Sequence, residues 1–149
     1  MLLAVSDCRY SRLLERLPKK LGCKVIEMDI QGNQNREVTE QLSVCNENVK
    51  QLTICKSYIY MDWLTADILS RWKLTGFLLA GVSITLPILT IILQTCTELT
   101  SVVLNSSNID DAAVIAIAQH CPKLKTLILR SGNITWTSLL ALSERGLPL

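Results

Sequence analysis

Large rings and histidine are scarce in this chain: one Phe, three Trp and three Tyr are spread over 149 residues, with a single His. So few rings cannot build an aromatic-centred globule, so the core must be assembled from aliphatic side chains. A lone histidine leaves little for acid–base or metal chemistry. His120 adjoins Cys121, but successive side chains at a helix end diverge, which disfavours a Cys–His nucleophile pair. It is read instead as a helix-terminal polar residue near the last carbonyls. The six cysteines include no C-x-x-C pair and no Cys/His zinc spacing. No glycine-rich phosphate cradle occurs, and Asp110-Asp111 suits a helix start better than a metal site. Net charge is only +2, too small to point to nucleic acid. The opening MLLAVSD is too short and too quickly acidic for a secretion signal. No catalytic, cofactor or metal site is expected.

What the chain does have is a period of 25 residues. Leu99, Val102, Leu104, Ile109, Val114 and Ile117 reappear as Leu124, Leu127, Leu129, Ile134, Leu139 and Leu142. One period earlier stand Leu74, Phe77, Leu79, Ile84, Leu89 and Ile92, and before them Val49, Leu52, Ile54, Ile59 and Leu64, with Asp67 in the last slot. Such a period predicts a solenoid, because each unit can bury its apolar edge only against a neighbour. Within a unit, apolar residues spaced by three and then two predict a short strand with one face inward. Polar turns follow, such as Asn105-Ser106-Ser107-Asn108 and Arg130-Ser131-Gly132-Asn133. Thr85, Asp110 and Thr135 are placed to cap helices, and Pro87 falls in a first turn, where its missing N–H costs little. Leu104 and Leu129 read as core positions, and Ser106 as a turn residue indifferent to substitution.

Residues 22–149 read as about five units of 24–25 residues, the first carried by Val25, Met28 and Ile30 and followed by a polar stretch from Gly32 to Glu40. Residues 1–21 read as a degenerate repeat or capping helix, from the stripe Tyr10, Leu13, Leu14, Leu17 and Leu21 opposite a basic face. A membrane-surface or targeting role for that stripe is weakened by Asp7 and Glu15. At the other end, Gly146-Leu147-Pro148-Leu149 aligns with Cys121-Pro122-Lys123-Leu124. Another unit therefore opens there, and this open end is expected either to continue or to be covered by a partner.

The cysteines share repeat positions, notably Cys96 and Cys121, as small buried thiols would. Free thiols imply a reducing compartment, cytoplasmic or nuclear, over a disulfide-bonded extracellular module. Asn105-Ser106-Ser107 and Asn133-Ile134-Thr135 match the N-glycosylation pattern, but both lie where turn residues are expected anyway. Residues 74–97 contain no charge and are long enough to span a bilayer. Register argues against a membrane helix, since each apolar site there matches the flanking units.

The run Cys121-Pro122-x-Leu124-x-x-Leu127-x-Leu129, with Asn133-Ile134-Thr135 and Leu139-x-x-Leu142, resembles the cysteine-containing class of leucine-rich repeat. The resemblance covers residues 46–149 closely and 22–45 loosely. It implies an α/β leucine-rich repeat solenoid, with parallel strands on a concave face and helices on the convex one. The class is common in F-box proteins, substrate receptors of cullin-type ubiquitin ligases, so it implies substrate recognition in an SCF-type ligase. The units here are one residue shorter than usual, the turn cysteine or asparagine is displaced, and no stretch resembles an F-box. An adaptor would have to be reached through regions outside this chain.

Outward-facing strand positions form columns across such a face. They place Thr53, Leu78, Val103 and Ile128 in one line, Ser101 and Thr126 beside it, and Asn105 and Arg130 on the other side. Strands ~4.8 Å apart would make Leu78, Val103 and Ile128 an apolar stripe about 10 Å long. The expected function is a non-catalytic interaction module binding a protein along that stripe. The alternatives are a regulatory scaffold of the ribonuclease-inhibitor-like type and a single-pass membrane protein through residues 74–97.

Overall fold

The described residues form six short strands: β1 (Leu2–Ser6), β2 (Glu27–Gln31), β3 (Gln51–Cys55), β4 (Gly76–Ala80), β5 (Ser101–Asn105) and β6 (Thr126–Arg130). The computed structural model describes residues 2–6, 27–31, 49–55 and 65–147. All neighbouring strands are parallel, and the sheet order follows the chain order. Four helices alternate with β3–β6: α1 (Ala66–Arg71), α2 (Leu86–Thr95), α3 (Asp111–His120) and α4 (Trp136–Glu144). The chain is thus a mixed α/β protein built on a parallel sheet. The N-terminal stripe Tyr10–Leu21, the polar stretch after Gly32, Ile59, Leu64, Pro148 and Leu149 lie outside the described residues. Strand β1, paired Leu2↔Glu27 to Ser6↔Gln31, lies where the apolar spacing predicts no strand.

The core follows the spacing in the sequence. Leu52, Ile54, Phe77, Leu79, Val102 and Leu104 point to one side of the sheet and are buried. Against them pack Leu69 from α1, Leu89, Ile92 and Leu93 from α2, and Ala113, Ala116 and Ile117 from α3. Leu74, Leu99 and Leu124 enter the same core just before their strands. Cys96 and Cys121 follow α2 and α3, and their backbone N–H groups donate to Ile92 and Ile117 carbonyls, closing the last turns. Asp110 caps α3 by accepting from the Ala113 N–H, and Thr135 caps α4 by accepting from the Thr137 N–H. Thr85 precedes α2 but makes no side-chain cap bond; Pro87 in that first turn has no N–H to satisfy.

Adjacent units are stitched by bonds that repeat with the period. The Lys50, Thr75 and Thr100 carbonyls each accept from two consecutive N–H groups one unit on, those of Thr75–Gly76, Thr100–Ser101 and Lys125–Thr126. In the turns, Asn108 donates to the Ile84 carbonyl, Ser131 to the Ile109 carbonyl and Asn133 to the Ser107 carbonyl. Gly81 takes φ 65°, a left-handed conformation that suits glycine, and its N–H reaches the Asn105 carbonyl at 2.8 Å.

Residues 74–97 divide into β4, a turn and the ten-residue α2, as their register requires, and do not form the one helix of the single-pass alternative. No helix among the described residues is long and apolar enough to cross a membrane. Three expectations need correction. Ser106 is buried, and its hydroxyl donates to Asn108 Oδ1 at 2.6 Å, so it orients the amide that reaches Ile84. In α1, Asp67 is exposed and pairs with Arg71, while Leu69 takes the core place, because a carboxylate cannot be buried unpaired. In the last unit, Leu129 is only half-buried and Leu139 is exposed, since no described strand lies beyond β6 to cover them.

Candidate functional site

Alternation along each strand decides what the second face of the sheet carries. With Leu52, Phe77 and Val102 turned to the helices, their neighbours Thr53, Leu78 and Val103 turn the other way. The ladder pairs Thr53 with Leu78, Leu78 with Val103, and Val103 with Ile128. Thr53, Leu78 and Val103 are half-buried by their neighbours, whereas Ile128, on the edge strand, is 42% exposed. Ser101 pairs with Thr126 on one side of this column, and Asn105 with Arg130 on the other. All eight expected residues therefore share one face and three columns.

The flanking columns are small or polar, so the apolar line stands proud. Gly76 and Ser101 separate Gln51 from Thr126 in the first column; Ala80 and Asn105 precede Arg130 in the third. Gly76 has a specific reason to be glycine. A Cβ there would lie 1.7 Å from Gln51 Oε1, because the Gln51 side chain folds across it and donates to Thr75 Oγ1 at 3.2 Å. Sequence spacing placed Gly76 in the column but gave no sign that Gln51 covers it. Arg130 is exposed and makes no ion pair among the described residues.

The buried thiols and the one carboxyl with a shifted titration among the described residues lie elsewhere. Cys96 and Cys121 are free and buried in consecutive units. Burial pushes both thiols up to about 12, with the neighbouring Cys121 adding to the effect at Cys96. A thiol held there carries almost no thiolate near neutrality and is a poor nucleophile. His120 ends α3. Asp111, at the start of α3, accepts from both the hydroxyl and the backbone N–H of Thr135, which holds its carboxyl below the ordinary value. Asn133 and Thr135 are thus both engaged between units, as the turn reading of Asn133-Ile134-Thr135 requires. Among the described residues no three His, Cys, Asp or Glu side chains gather so that they could hold a metal ion.

No family model matches this chain, and no curated protein matches it.

Proposed function

We propose that this chain folds as a leucine-rich repeat solenoid and works as a non-catalytic protein-interaction module. The observation that carries the reading is the in-register column Thr53–Leu78–Val103–Ile128 on the face that the helices leave uncovered. Buried alternate residues form the core, and Leu78, Val103 and Ile128 stand outside that core among the described residues. Apolar side chains in a line, rimmed by Ser101, Thr126, Asn105 and Arg130, have the composition of an interface core with a polar rim. In the solenoid reading this is the concave face.

The cysteine-containing repeat pattern makes substrate recognition in an SCF-type ubiquitin ligase the most specific form of the proposal, with the adaptor bound through regions outside this chain. Buried free thiols suit a cytoplasmic or nuclear setting. The test is to replace Val103 or Ile128 by Asp. Each variant still folds and unfolds cooperatively, because neither side chain belongs to the core, and loses the proteins that the wild type captures and crosslinks through this face. Unchanged capture by both variants contradicts the assignment.

A further inference from the structure

Resting on that reading of the uncovered face, the geometry points to a partner of one kind: we propose that the stripe takes an amphipathic α-helix lying across the strands, its C-terminal end over Arg130. Spacing along the stripe selects the partner. Neighbouring strands are ~4.8 Å apart, so Leu78, Val103 and Ile128 span about 9.6 Å. Residues i, i+3 and i+7 of a helix span about 10.5 Å along its axis, a misfit of about 1 Å. An extended segment presents one face at i, i+2 and i+4, spanning about 13 Å, so that its third side chain overshoots by more than 3 Å. A polyproline helix matches Leu78 and Ile128 with i and i+3 at about 9.3 Å, but it leaves Val103 without a partner. Only the α-helix sets one apolar side chain on each of the three strands.

Charge fixes the direction. The register continues the column from Thr53 to Asp29, and the adjoining column from Gln51 to Glu27, so acidic residues occupy the β2 end. Arg130 stands exposed at the β6 end, without an ion pair among the described residues. A helix with its N-terminus toward β2 and its C-terminus toward β6 aligns its macrodipole with both ends. Lysine or arginine in its first turn and glutamate or aspartate in its last complete the match. Four strand intervals of ~4.8 Å correspond to about 13 residues at 1.5 Å each. Ser101 and Ala80 on either side of the stripe are small, while at Gly76 the Gln51 side chain lies flat across the strand, so a cylinder settles over β4 and β5.

The test uses two synthetic peptides against the full chain, read by fluorescence anisotropy and by the methyl signals of Leu78, Val103 and Ile128. One is a stapled helix with leucines at i, i+3 and i+7, lysine in its first turn and glutamate in its last. The other carries the same leucines at alternate positions and is held extended by prolines. The proposal expects the helix to bind and shift these three methyls, Val103→Asp to weaken it about 30-fold, and the extended peptide to do neither. Arg130→Glu weakens the helix about 5-fold, and exchanging the peptide's glutamate for lysine restores affinity to that variant. If the extended peptide binds the three residues as well as the helix does, the helical assignment falls and the docking face stands. If neither peptide moves these methyls at millimolar concentration, both fall. Equal affinity for Arg130→Glu overturns the direction.

Discussion

At the scale of single residues, the thiols make the sharpest prediction. Cys96 and Cys121 are 3% and 0% exposed, and burial holds both thiols up at about 12 against an ordinary 9.0. Neither should react with a thiol reagent in the folded protein, and both should react once it unfolds. The same shift has a pH signature. Folded values lie above unfolded ones, so the unfolded chain ionises first. Their contribution is intact below pH 9.0 and is lost as pH rises toward about 12. The double variant Cys96→Ala/Cys121→Ala should lose less stability than the wild type across that window. Denaturant melts at a series of pH values measure it; equal losses would contradict the burial.

Asp111 has the opposite sign. The Thr135 hydroxyl, and secondarily its N–H, hold the Asp111 carboxyl below its ordinary 3.8. Its contribution is therefore present above that value and disappears as pH falls through the lower, folded one. Asp111→Asn and Thr135→Ala should each flatten the acid limb of the stability profile, while leaving alkaline behaviour alone. Such contacts were only partly legible in the sequence. Asp110 and Thr135 announced themselves as caps by type and position. Nothing local shows that Asp111 reaches Thr135 in the next unit, because that contact depends on how two units stack.

At the scale of elements, unlike neighbours explain unlike costs. Leu104 on β5 is fully buried between two strands and beneath α2 and α3, whereas its repeat mate Leu129 on β6 is half-buried. Leu104→Ala should cost about 2–5 kcal/mol, the range for a buried large-to-small change, and Leu129→Ala clearly less. Chemical denaturation of the two variants checks the difference; equal costs would mean that β6 is covered as β5 is. The spacing rule alone makes the two leucines equivalent, and it fails here because burial belongs to the stack, not to the unit. The helix α1 of the second unit teaches a similar lesson. The period assigns its core slot to Asp67, yet Leu69 fills it, and Asp67 pairs with Arg71 at 2.7 Å on the surface. Keeping the carboxylate at the surface beside Arg71 outweighed the period.

At the scale of the whole molecule, the strand ladder was the most legible part. Three-then-two spacing located β2 to β6, because period-two burial leaves a direct mark on sequence. It also resolved the chargeless run of residues 74–97 into strand, turn and helix, where hydropathy alone would have drawn one span. β1 was missed because Leu3 and Val5 are too few to show a period by themselves. All eight proposed face residues came from the same alternation, whereas the folding of Gln51 over Gly76 did not, since it depends on a side chain crossing between strands.

One measurement bears most directly on the whole account: methyl-to-methyl nuclear Overhauser contacts in a sample labelled at Leu, Val and Ile. Adjacent parallel strands predict contacts from Leu78 to Val103 and from Val103 to Ile128, with a separate set joining Leu79 to Leu104 and Leu104 to Ile117. An uninterrupted run of helical amide contacts from residue 74 to 94, or Val103 methyls in contact with Leu104's core neighbours, would contradict it.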